Sequence, residues 1–273
     1  MGHIKQFEAY LEIIGCRDVR EVSKETILKY QEKIVSEKIT DGSKGEKLNT
    51  VKKLFEYLID CGSLLINPAE NLKRIKHKNR KIGISLDIDE IKRLLSAPNL
   101  SKRLEIRDRA IMEVMYSSGI RINELIHLEV YDVDLKEKVL HIRKGKGGKQ
   151  RVTPLGKEAV KYVKEYLEKI RPCYARKNSK ERKLFLKNTG LAITNNCVTN
   201  FLSKYRIKAK IKKHVSPHVL RRSCATHFLN GGADIRYVQK LLGHRSLRTT
   251  QRYTKIVPID IKKTHEKSHP GVL

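Results

Sequence analysis

Six side chains between residues 121 and 253 have types and spacing suited to handling a phosphoryl group. Arg121 stands just after a glycine in "SSGIRINEL", and a basic turn, "KGKGGKQ", follows some twenty residues on. "SPHVLRRS" sets His218 and Arg221 three residues apart, on one face of a helix. "LLGH" ends in His244, and Tyr253 follows nine residues later in "TTQRYT". Attack by an oxygen on a phosphodiester builds negative charge on the non-bridging oxygens, and the multi-donor arginine fork is the best match to it. The leaving ribose oxygen needs an acid. A neutral phenol, with a reference pKa of about 10, is a poor nucleophile and gains from a base and a positive field. Arginine, lysine, histidine and tyrosine together supply these parts without a metal.

Taken singly, each residue has an ordinary structural use. Arg121 can pair with Glu124, His218 can sit in a helix start, His244 can favour a helix C-terminus, and Tyr253 can pack. Their conjunction in one order and in these local contexts resembles the tyrosine recombinase (integrase) family over residues 85–254, with residues 1–77 similar to that family's helical DNA-binding domain. The resemblance implies that Tyr253 attacks the scissile phosphate and becomes joined to the 3′ phosphate. It also implies that Arg121, Arg221 and His244 hold the non-bridging oxygens, that Lys146 protonates the leaving oxygen, and that His218 serves the tyrosine as acid and base. Lys146 lies between two glycines, as the family's lysine does, while Lys144 and Lys149 share its turn and, with Arg151, are expected to touch DNA. Glu124 is expected to orient Arg121 or pin its helix. No cofactor or metal is implied. Arg222 departs from the histidine common at that place in relatives.

The charge agrees with a polyanionic partner. The 273 residues carry a formal +29, of which residues 1–80 hold only +4; residues 140–213 carry 22 Lys and Arg against 4 Asp and Glu. Such a one-signed surface is self-repelling unless nucleic acid meets it, and the matching glutamates of a salt-bridged lysine surface are missing. Double-stranded DNA is the expected partner. No run approaches the ~18 apolar residues of a membrane helix and no signal-peptide core opens the chain, so a cytoplasmic location is expected. Five scattered cysteines without a C-x-x-C pair suggest neither disulfides nor a zinc site. "KGKGGK" lacks the hydroxyl and helix of a phosphate-binding P-loop.

The elements that must position these residues are mostly helical. In residues 1–77, Ile4, Phe7, Leu11 and Ile14 recur at helical spacing, as do Ile27, Tyr30 and Ile34, then Leu48, Val51, Leu54, Phe55 and Leu58. "DGSKG" at 41–45 and "INPAEN" at 66–71 read as turns. The basic stretch at 72–83 has no apolar face and holds the interdomain linker, placed at 78–84. A catalytic domain over 85–254 opens with Asp87 and Glu90 at capping-box spacing. Helices are predicted at about 88–96, 104–118, from Arg121, 157–170, 194–209, 217–229, 235–242 and 248–253. Strands are predicted at 139–143 and 150–154, with a brief apolar one at 184–186. The fold class is mainly α with a small β-sheet, a helical DNA-binding domain ahead of a mixed α/β tyrosine-recombinase domain.

The tail, 255–273, ends near "HP" and resembles that of Xer-type recombinases, where it packs on a neighbouring protomer and couples active sites in a tetramer on two duplexes. The resemblance therefore implies chromosome or plasmid dimer resolution and a synaptic tetramer, open to an unidentified regulatory protein. The alternatives are a mobile-element integrase, a type IB topoisomerase-like activity, a DNA-binding protein without catalysis, and a metal-dependent nuclease built on His214, His218 and His227.

Overall fold

The computed structural model describes residues 2–72, 75, 83–143 and 150–243. The chain divides into two compact units, Met1–Lys81 and Ile82–Leu273. Among the described residues no helix is long and apolar enough to cross a membrane.

The first unit is built on three helices. Helix α1 (His3–Ile13) buries Phe7, Tyr10 and Leu11, α2 (Lys24–Ser36) buries Ile27, Tyr30 and Ile34, and α3 (Asp41–Asp60) buries Leu48, Val51 and Phe55. Phe7 is the centre of this core, its ring 4.8 Å from that of Tyr30 and 6.0 Å from that of Phe55, both edge to face; this is the favoured geometry for aromatic quadrupoles. Ile4 and Ile14, which share the helical spacing, are exposed at the two ends of α1, so the buried stripe is shorter than the periodicity implies. The "DGSKG" segment is not a turn but the start of α3. Thr40 caps it, accepting a hydrogen bond from the Ser43 N–H at 3.2 Å, and this cap offsets the poor helix propensity of Gly42 and Gly45. "INPAEN" is a turn, held by Asn67 Oδ1 accepting from the Ala69 N–H at 2.9 Å.

The second unit opens on the anticipated capping box. Asp87 Oδ1 accepts from the Glu90 N–H at 2.8 Å and Glu90 Oε2 from the Asp87 N–H at 2.9 Å, starting α4 (Ile88–Ser96). Helix α5 (Arg103–Ser118) runs through the core, buried on nearly every side. Its polar residues are paired accordingly: Arg107 bridges Asp108 at 2.5 Å and donates to the Leu186 carbonyl at 3.0 Å, while Tyr205 donates to Asp108 at 2.9 Å. The sheet is antiparallel in the order β1 (Val133–Asp134), β2 (Val139–Ile142), β3 (Arg151–Pro154), with Val139 opposite Pro154 and Ile142 opposite Arg151. Leu140 and Ile142 face the core and His141 faces solvent, the alternation of a one-sided sheet.

Helix α7 (Lys157–Glu165) continues through a π turn (Tyr166–Ile170) into α8 (Arg171–Ala175), one turn beyond the predicted end. Tyr166 explains the insertion: its hydroxyl accepts from the Leu186 N–H at 3.0 Å and donates to the Leu184 carbonyl at 3.2 Å. The predicted strand at 184–186 is buried but is held by isolated bridges, Leu186 with Ala192 and, just before it, Lys183 with Glu129. Helices α9 (Asn195–Lys208), α10 (Pro217–Asn230) and α11 (Ile235–Leu242) follow. Ala225 of α10 packs on Val238 and Leu242 of α11, which fixes the end of α11 against α10.

Candidate active site

The site begins where α5 stops. Gly119 ends that helix in the left-handed region (φ 58°), and a Cβ there would lie 2.6 Å from Leu242 Cδ2 and 3.2 Å from Cys224 Sγ. Only glycine permits both the backbone turn and the close approach of α10 and α11. The chain then reaches Arg121, which stands immediately before α6 (Ile122–His127). Its backbone N–H donates to Glu124 Oε2 at 3.0 Å and its Nη1 to Glu124 Oε1 at 3.0 Å. Glu124 thus touches both the Arg121 side chain and the backbone at the start of α6.

Glu124 is buried and holds a second arginine. Arg151, the first residue of β3, donates Nη1 to Oε1 at 2.9 Å and Nη2 to Oε2 at 2.7 Å, a bidentate fork. Burial pushes the Glu124 carboxyl up, but the hydrogen bonds from Arg151 and from the Arg121 N–H outweigh it and hold the group at about 2. It is therefore ionised at neutral pH.

All three arginines converge on the C-terminal end of α11. The last carbonyls of a helix have no partner within it and carry the negative end of its dipole. Arg151 Nε donates to the Leu241 carbonyl at 3.1 Å, Arg221 Nη2 to that of Leu242 at 2.6 Å, and Arg121 Nη2 to that of Gly243 at 3.1 Å. Arg221 Nη1 also donates to the Gly119 carbonyl, tying α10 to the end of α5. Gly243 is left-handed (φ 61°), and a Cβ on it would meet Arg151 Cδ at 3.1 Å. Among the described residues, the bonds at this helix end bring three guanidiniums and one carboxylate together, a cationic setting for a phosphate anion.

His218 lies in the first turn of α10, exposed, three residues ahead of the buried Arg221. Lys144, Lys146, Lys149, His244 and Tyr253 lie outside the described residues. Their anchors are described: β2 and β3 flank the lysine turn, and Gly243 directly precedes His244 in the chain.

Residues 85–258 match the model of the phage integrase family. The chain belongs to that family, the tyrosine recombinases. It is 38% identical to tyrosine recombinase XerC of Pelobacter propionicus over 85% of this chain and 74% of that one. It is 36% identical to tyrosine recombinase XerD of Staphylococcus aureus over 82% and 75%. Among solved structures it resembles XerA recombinase, with 28% identity and a TM-score of 0.60 over 98% of this chain and 90% of that one. A XerH recombinase bound to its difH substrate shares the fold, with 22% identity and a TM-score of 0.70 over 97% and 76%. The recombinase is thus of Xer type and an enzyme of DNA strand exchange.

Two features of this recombinase lie outside what residue types convey. Arg151, grouped by sequence with the lysines as a DNA contact, turns its guanidinium inward onto Glu124 and Leu241, with 12% of its side-chain surface left open. Its partner is 27 positions away and the helix end it touches offers only backbone, so no local signal marks it. Arg222 lies over Gly83, whose Cβ would fall 1.7 Å from Nη1, and donates to the Ile84 carbonyl at 3.1 Å. Arg222 thus clamps the chain entering the second unit. The histidine triad of a metal nuclease does not form. His227 Nε2 is 3.0 Å from the Leu86 carbonyl, which can only accept, so Nδ1 accepts from the Tyr116 hydroxyl at 2.9 Å. Both ring nitrogens are occupied, and among the described residues no group of three His, Cys, Asp or Glu could hold a metal ion.

Proposed function

We propose that this recombinase cuts and rejoins DNA at specific sites through a 3′-phosphotyrosyl link to Tyr253, in the resolution of chromosome or plasmid dimers. The observation that carries the reading is the seating of Arg121 and Arg221 on the successive carbonyls of Gly243 and Leu242. Two guanidiniums from segments a hundred residues apart are brought to one helix end, and the next residue of the chain is His244.

In this reading Arg121, Arg221 and His244 hold the non-bridging oxygens as charge builds on them. The Tyr253 oxygen attacks phosphorus, its proton passing to His218. The bond from phosphorus to the 5′ oxygen breaks, and Lys146 delivers a proton to that oxygen, leaving a 5′ hydroxyl. The reverse steps, with a 5′ hydroxyl from another strand, complete the exchange and restore the phenol. One phosphodiester is exchanged for another, so no nucleoside triphosphate is consumed.

Residues 1–77 act as the DNA-binding domain ahead of the linker at 78–84, with the catalytic domain at 85–254. Lys144 and Lys149 touch backbone phosphates, and residues 255–273 pass to a neighbouring protomer in a tetramer on two duplexes. The enzyme works in the cytoplasm. The similarity to XerC and XerD over most of their length supports dimer resolution over integration or supercoil relaxation. The test is a nicked duplex carrying a site selected from a random-sequence pool by the full chain, incubated in EDTA. A denaturation-resistant protein–DNA adduct is expected; its absence on duplexes that the protein binds tightly would contradict the proposal.

A further inference from the structure

We infer that Arg151 is a positioning residue of the strand-cleavage reaction and not a DNA contact. The inference rests on the recombinase reading and adds a part to it. Arg151 uses its whole fork inward: Nη1 and Nη2 grip Glu124 at 2.9 and 2.7 Å, and Nε holds the Leu241 carbonyl at 3.1 Å. Glu124 is the group that holds both the backbone N–H and Nη1 of Arg121. Leu241 lies one residue from Leu242, whose carbonyl holds Arg221, and three from His244. Arg151 itself begins β3, two residues after Lys149.

From the strand that follows the lysine turn, one guanidinium therefore ties the segment that carries Arg121 to the end of α11, where the next carbonyl seats Arg221 and the chain runs on to His244. A lysine could supply the charge there but not three directed bonds in a plane. Without Arg151, Glu124 would keep only its Arg121 bonds while remaining buried, and Arg121 would lose its fixed reference. Burial and the lost fork both favour protonation of Glu124, so activity would acquire an acid limb that the unmodified enzyme lacks over the same range.

The experiment compares full-length Arg151→Met and Arg151→Lys with the unmodified chain on the nicked duplex described above. Three quantities are read: DNA affinity as a function of salt, the rate of adduct formation at saturating protein, and the pH dependence of that rate. A positioning role predicts a Kd within about twofold and an unchanged salt slope. It also predicts a rate lowered by about 100-fold in Arg151→Met, the scale of a slightly misplaced catalytic group, with partial recovery in Arg151→Lys and a new acid limb in the variants that the unmodified chain lacks over the same range. A DNA contact predicts the reverse pattern: weaker binding, a salt slope reduced by about 1, and a saturating rate left intact; that result would overturn the assignment. Where Arg151→Met does not fold, as judged by thermal melting, Arg151→Lys decides by the same criteria. An unmodified chain that forms no adduct would overturn the recombinase reading and this assignment with it, whereas a normal adduct rate in the variants would overturn the assignment alone.

Discussion

At the scale of single residues, a buried carboxylate is costly unless it is saturated with donors, and Glu124 accepts from two guanidiniums and a backbone N–H. Removing its charge strands the arginines around it. Glu124→Gln is expected to lower stability by about 3–5 kcal/mol, the usual cost of breaking a buried pair from one side, read by chemical denaturation at pH 7. The sign of the pH dependence follows from the depressed value. An unfolded glutamate titrates near 4.3, the folded one at about 2, so its contribution is complete above the unfolded value and is lost as pH falls through the folded one. Glu124→Gln is therefore expected to be less sensitive than the unmodified protein to acidification from pH 5 to pH 2. Equal acid sensitivity would show that the carboxylate is not held as described.

At the scale of elements, the site is made by helix ends. The C-terminus of α5 with Gly119, the start of α6 with Arg121 and the C-terminus of α11 with Gly243 meet where α10 presents Arg221. Gly119→Ala tests this meeting point. A left-handed alanine costs about 1–2 kcal/mol, and its Cβ would press on Leu242 at 2.6 Å, adding about 1–3 kcal/mol of overpacking. The melting temperature should fall and adduct formation with it; an unchanged melt would mean that α11 does not pack there. Much of this was legible in residue patterns where the determinants are local. The Asp87–Glu90 box, Pro217 opening α10 and the glycine ending α11 lie within a turn of the elements they delimit. The start of α3 was not legible, because two glycines and an aspartate look like a turn until the Thr40 cap is seen. The π turn at Tyr166 and the inward turn of Arg151 depend on partners 20 and 27 residues away, respectively, at Leu186 and Glu124, which no local window contains. β1 has only two residues, too few for a period to appear.

At the scale of the whole molecule, the excess of positive charge sits beyond residue 80 and the helical first unit is nearly balanced, so phosphate affinity should come chiefly from the second unit. If residues 255–273 join protomers, deleting 257–273 should leave binding of one duplex intact while reducing tetramers on paired duplexes, as measured by light scattering; undiminished tetramers would place the protomer contact elsewhere. The proposed chemistry turns on one oxygen. The most direct measurement is to digest the EDTA-resistant adduct with protease and nuclease and sequence the nucleotide-bearing peptide by mass spectrometry. Strand cleavage by Tyr253 predicts a single 3′-nucleotide on that residue and no adduct from Tyr253→Phe; a nucleotide on any other residue, or an undiminished adduct from that variant, would contradict it.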